Sequence, residues 1–171
     1  MPRLSTTGLD DVIKMMESVG VNSERMAAQS LYNGAGLVAE RLKQAILQLP
    51  VDDNEEHRHA DGIRVISTED REDLANGVGI ATFENKDGVI NTAISIEGYT
   101  RRKEPDNGPG RRSYPNGVPL PMIARSIESG SSVRQKHPFV RQATHAMKQA
   151  VLTTMRNAAE AELQKIIEEA T

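Results

Sequence analysis

Residues 118–143, VPLPMIARSIESGSSVRQKHPFVRQA, constrain the fold more than any other stretch, because prolines and one glycine fix where regular structure can begin and end. Proline locks φ and biases the residue before it away from the helical region, so Pro119 and Pro121 impose an extended entry. Met122, Ile123 and Ile127 then recur at helical spacing, with Arg125, Ser126 and Glu128 on the other side, which predicts a helix of about two turns. Gly130 supplies the positive φ that stops it. Residues 129–136 are polar and basic. Pro138 stands where a first-turn proline is tolerated and Phe139 follows as an apolar anchor, so a long helix is predicted over 138–169.

Upstream, Leu9, Val12, Ile13 and Met16 follow the i, i+3, i+4, i+7 pattern and predict a short N-terminal helix over 8–19, ended by Gly20. Asn22 or Ser23 caps a longer helix whose stripe, Leu31, Ala35, Val38, Leu42, Ala45 and Leu49, runs to Pro50. Asn33, Gly34 and Gly36 lie inside it and predict a kink or a close helix contact, since an interior glycine costs about 1 kcal/mol relative to alanine. Residues 63–67, 77–83 and 89–97 have strand character, and in the last Ile90, Thr92, Ile94 and Ile96 share one face. Asn85, Lys86, Asp87 and Gly88 carry hairpin-turn chemistry, and Asp70 to Leu74 reads as a helical turn. In the terminal helix, Val140, Ala143, Met147, Ala150, Thr154, Ala158 and Ala161 form a narrow face of small residues, for which Val38, Leu42 and Ile46 are the complement. Four glutamates, 160, 162, 168 and 169, load the far end of this helix against its own dipole. The predicted class is α+β: a small antiparallel sheet of about three strands packed against two long helices, with a short N-terminal helix, all in one domain spanning 1–171.

Only 3% of the residues are aromatic, none is Trp and seven are Met, so the core is expected to be aliphatic. A formal charge of -3 argues against a dedicated nucleic-acid binder. Without cysteine there is no disulfide, thiolate metal site or cysteine nucleophile. No apolar run approaches the roughly 18 residues that span a bilayer, and a soluble protein used without export is expected. His57 and His59 stand among Asp52, Asp53, Glu55, Glu56 and Asp61, ligand-type residues whose loose spacing favours a solvated loop over a metal site. No nucleophile sits in a strand-turn-helix elbow and no glycine loop cradles phosphate. His137 and His145 are not a recognised ligand pair. Neither catalytic residues nor a cofactor are expected.

From 99 to 117 the chain is rich in Pro and Gly and strongly basic, with Arg101, Arg102, Lys103, Arg111 and Arg112 between Tyr99 and Tyr114. A structureless loop beyond about 12 to 15 residues calls for a function or for disorder. Three readings stand: a solvated excursion, docking onto a neighbouring subunit through these five residues and Tyr114, and salt-sensitive contact with DNA phosphates. On the docking reading, neutralising Arg101, Arg102 and Lys103 leaves folding intact and weakens assembly.

The order hydrophobic helix, Glu-x-Gly-Ser, polar turn, Pro-Phe and terminal helix resembles the minor tail-component family of Hong Kong 97-type long-tailed bacteriophages, the gene-product-10-like neck and tail-completion proteins. The matching residues are Ile127, Glu128, Gly130 and Ser131, then Pro138, Phe139, Arg141 and Ala143. Further matches are Gly8 and Leu9 in the opening helix, Pro50 after the long one, and Gly62, Ile63 and Arg64 before a strand. The acidic segment after Pro50 and the basic loop 99–117 depart from the family pattern. The resemblance implies a structural virion protein, not an enzyme, assembled in the bacterial cytoplasm. It would be one subunit of a closed ring, a hexamer by the sixfold symmetry of phage tails, joining the tail to the head-side connector. The implied partners are its own copies, the adjacent head-closure or connector proteins and the tail-tube or terminator proteins, with non-specific DNA contact in the channel and no membrane. A tail terminator is the alternative within this class. A DNA-binding or regulatory domain using the basic loop is the alternative outside it.

Overall fold

The computed structural model describes residues 7–54, 65–86, 89–103, 114–131 and 134–170. It is mixed helix and sheet, as the α+β expectation required. Among the described residues the helices are α1 (Thr7–Leu47), α2 (Thr68–Asn76), α3 (Leu120–Ser129) and α4 (Phe139–Ala170), and the strands are β1 (Val78–Ile80), β2 (Glu84–Lys86), β3 (Val89–Asn91) and β4 (Ile94–Ile96).

The two expected N-terminal helices are one, 41 residues long. Gly20 does not stop it, because the residues expected to cap a second helix bond back onto the preceding turn instead: Ser23 Oγ donates to Gly20 O at 2.8 Å and Asn22 Nδ2 to Ser18 O at 2.9 Å. At Gly34 the expected close helix contact is present. A Cβ there would lie 2.7 Å from Met155 Cγ, so this glycine serves close helix packing.

The expected three-stranded sheet is also replaced. Two separate two-stranded antiparallel sheets form, β1 with β4 and β2 with β3. Val78 faces Ile96 and Ile80 faces Ile94, and Ala81 N donates to Ala93 O at 2.8 Å, whereas Glu84 faces Asn91 and Lys86 faces Val89. The register therefore slips by one: Thr82 and Phe83 stand opposite Thr92 alone, the signature of a bulge. Residues 89–97, read as one strand, are two that pair with different partners. The alternation survives, with Val89, Asn91 and Ala93 exposed and Ile90, Thr92 and Ile94 half-buried. The third expected strand, 63–67, supplies only a parallel bridge between Val51 and Ile66, and Ile63 and Arg64 lie outside the described residues.

The chain divides into two compact units, each assembled from separated segments. The first comprises 1–36, 82–92 and 149–171. Here α1 and α4 meet at small residues: Ser30 Oγ donates to Met155 O at 2.5 Å, and Gly34 faces Val151 and Met155. The face of α4 that makes this contact is thus Val151 and Met155, while Ala150 and Ala161 of the expected stripe are exposed. Tyr32 and Phe83 pack with ring centroids 6.2 Å apart. Arg25 lies 3.8 Å from Glu162, which also accepts from Lys165 at 2.6 Å. That hydrogen bond, with the charges of Lys165 and Arg25, outweighs partial desolvation and holds the Glu162 carboxyl below its ordinary pKa.

The second unit, 37–81 and 93–148, carries the core. Leu42 and Ile46 of α1, Leu49 just beyond it, Leu74 of α2, Val78 of β1, Ile123 and Ile127 of α3, and Phe139 and Ala143 of α4 are buried in one cluster. Ala35, Leu42 and Leu49 of the expected stripe and Ile46 of the expected complement are buried, whereas Val38 and Ala45 are half-buried and Ala39, outside the expected stripe, is buried. The ends of the loop 99–117 are stitched together in this unit. Thr100 N donates to Val118 O at 2.9 Å, Val118 N donates to Thr100 Oγ1 at 2.9 Å, and Tyr99 bridges Pro119. Gly117 makes this clasp possible: its φ is +97°, and a Cβ would overlap the Thr100 carbonyl oxygen. Gly117→Ala is expected to destabilise the chain by about 2 kcal/mol or more, read from urea unfolding, because both the backbone conformation and the space exclude a side chain.

Candidate functional site

Two clusters of the second unit hold the residues that the sequence singles out. The first joins the start of the basic loop to α2. Ser67 caps α2 by accepting from Asp70 N at 3.0 Å, and Asp53 accepts from Thr68 N and Oγ1 at 2.8 and 2.7 Å. The helix so fixed carries Glu69, Asp70, Glu72 and Asp73, with Asp70 and Asp73 turned inward. Arg101 meets them through its backbone N, 2.8 Å from Asp73 Oδ2, through Nε, 2.6 Å from Asp73 Oδ1, and through Nη2, 3.0 Å from Glu72 Oε2. Arg102 Nη2 donates to Asp70 Oδ2 at 3.2 Å. The side chains of Asp70 and Asp73 are only 4% and 8% exposed. Hydrogen bonds to Glu72 and then Asp73, with the Asp73 charge, raise the Arg101 pKa above the ordinary guanidinium value.

This arrangement corrects the expectation that neutralising Arg101, Arg102 and Lys103 would spare folding. Arg101 and Arg102 clamp the loop onto α2 and satisfy buried carboxylates. Lys103 is exposed, and Arg111 and Arg112 lie outside the described residues. Tyr114 is half-buried against the core, its hydroxyl 3.4 Å from Met122 Sδ. The Glu-Asp-Arg-Glu-Asp run at 69–73 is the sequence signal that could have announced the pairing, although nothing local says that it faces residues almost thirty positions away.

The second cluster is the junction between α3 and α4, where the family-like residues act together. Ile127 is buried. Gly130, at φ +75°, ends α3, and Ser131 and Arg134 close a tight turn through reciprocal backbone bonds, Ser131 N to Arg134 O at 2.9 Å and Arg134 N to Ser131 O at 3.3 Å. Arg134 Nη1 reaches back to Ser126 Oγ. His137 N then donates to Ile127 O at 2.8 Å just before Pro138, and Phe139 follows in the core. Helix α4 begins with no Ser, Thr, Asp or Asn at its cap. Glu128 does that work from the end of α3: Oε2 accepts from Val140 N at 2.8 Å, and Oε1 accepts from Arg141 N at 3.3 Å and lies 3.5 Å from Arg141 Nε. A carboxylate at a helix N-terminus satisfies orphan donors and complements the dipole. Glu128→Ala should therefore cost about 1 to 2 kcal/mol, with Glu128→Gln recovering part of it, as thermal unfolding would report.

A groove flanks this junction. Leu49, Pro50 and His137 border a cavity of about 260 Å³ toward Arg41 and Phe139, and one of about 280 Å³ toward Ile66 and Arg134. The first unit has its own cavity of about 660 Å³, lined by Met26, Leu31, Ile90 and Met155 among others. Among the described residues no group of three or more His, Asp or Glu could hold a metal ion, and no helix is long and apolar enough to cross a membrane. His57 and His59 lie outside the described residues.

No protein-family model, curated protein or solved structure matches this chain.

Proposed function

We propose that the chain is a structural virion protein of a tailed bacteriophage, a ring-forming neck or tail-completion subunit joining the tail to the head-side connector. The observation that carries this reading is the α3–α4 junction. The residues of the family-like text, Ile127, Glu128, Gly130, Ser131, Pro138, Phe139, Arg141 and Ala143, are contributors to one packed and capped corner, as a recurring motif requires. Two long helices and a small β ribbon form the subunit body, while the loop 99–117 and the end of α4 engage neighbours. DNA recognition through the basic loop is the weaker reading, because Arg101 and Arg102 already meet carboxylates.

Electron microscopy of particles from a host infected with a phage unable to make this chain tests the reading. Filled heads and finished tails accumulating separately are expected. Tails of abnormal length would instead assign the terminator role, and normal infectious particles would overturn the virion reading altogether.

A further inference from the structure

From 129 to 159 the chain holds Arg134, Lys136, Arg141, Lys148 and Arg156 and not one Asp or Glu, although its formal charge as a whole is -3. The first part of α4 turns some of these cations outward in the second unit. Arg141, His145 and Lys148 stand four and three positions apart, the spacing that places side chains on one helix face, and all three are exposed. Lys136, in the turn that leads into the helix, is exposed as well. The side chains of Lys136, His145 and Lys148 make no hydrogen bond or ion pair among the described residues. Arg141 meets Glu128 with its own side chain still 71% exposed.

The exposed residues from 141 to 148 are Arg141, Gln142, Thr144, His145, Ala146 and Lys148, with no aromatic ring and no large aliphatic side chain among them. A ring is what stacks an unpaired base, an aliphatic wedge is what enters a bilayer, and a large apolar anchor is what centres a protein interface. Cations and an amide donor remain, and these suit phosphate oxygens. From Arg141 to Lys148 the helix rises about 10 Å, a length over which one strand of a duplex presents about three phosphates.

We infer that this outward face of α4 binds the phosphate backbone of double-stranded DNA without reading its sequence. The surface is separate from the start of the loop 99–117, whose Arg101 and Arg102 are committed to α2. It goes beyond the neck reading and does not depend on it. Because the chain as a whole is acidic, the binding is weak and confined to low salt.

Fluorescence anisotropy of a labelled duplex of arbitrary sequence, titrated with the full chain between about 50 and 200 mM salt, tests it. The wild type is expected to bind at the low end, with an affinity that falls as roughly the third power of the salt concentration, as about three phosphate contacts require. Lys148→Glu should weaken binding by about tenfold and flatten the salt slope by about one. Lys103→Glu, the same charge change on the exposed start of the basic loop, should alter affinity by no more than about twofold. Thermal unfolding verifies that both variants are folded. A wild type that does not bind at about 50 mM salt, or binds with no salt dependence, would overturn the inference. Equal losses from the two variants would overturn it too, because the loop or the net charge would then do the binding. So would tighter binding to mixed vesicles of phosphatidylcholine and phosphatidylserine than to the duplex. The neck reading stands or falls separately, on the particle morphology.

Discussion

Replacing Phe139 by alanine should destabilise the chain by about 3 to 5 kcal/mol, the range found when a buried phenylalanine is truncated. Phe139 is 4% exposed and belongs to the cluster with Leu42, Ile46, Leu49, Ile127 and Ala143. A domain of this kind has a net stability of only about 5 to 15 kcal/mol, so the loss consumes a large part of it. Phe139→Leu keeps most of the volume and should cost about 1.5 kcal/mol or less. Urea unfolding of the three proteins, with an unchanged slope, would measure both. A Phe139→Ala loss under about 1 kcal/mol would mean that the helix start does not anchor the core.

A comparable loss, about 3 kcal/mol, is expected from Arg102→Ala, because it leaves the Asp70 carboxylate buried without its charge partner. The cost comes from the abandoned charge more than from the lost attraction, so removing that charge too should restore stability. Arg102→Ala combined with Asp70→Asn is therefore expected to be more stable than Arg102→Ala alone, and a double-mutant cycle in urea reads the coupling directly. A loop arginine held only for docking would give no change in stability in any of these variants. Arg101→Ala should have the smaller effect, since its side chain is 56% exposed and water can take over part of its role.

Which parts of this architecture a reader of the bare chain can find depends on the range of the interactions. Pro138 and Phe139 announce the start of α4, Gly130 the end of α3, and the Ile90 to Ile94 alternation the exposure pattern of the ribbon, because each rests on φ restriction or on periodicity within a few residues. The same local rules mislead at Gly20, where an isolated glycine reads as a stop. Its helix continues because Asn22 and Ser23, which could cap a new helix, bond back onto the preceding turn instead. The ribbon misleads for a related reason: a one-residue slip between Ala81 and Glu84 leaves no mark on the alternation of the opposite strand.

Local chemistry thus determined the helix ends around residues 119, 130 and 138, the aliphatic character of the core and the surplus of positive charge after residue 120. Tertiary structure alone decided that Arg101 and Arg102 meet α2 and that Glu128 caps a helix other than its own. It also decided that Gly34 is a packing site for Met155. These contacts join residues from 12 to more than 100 positions apart, and their free energy comes from desolvating charge and excluding Cβ atoms at surfaces that exist only once the chain is folded.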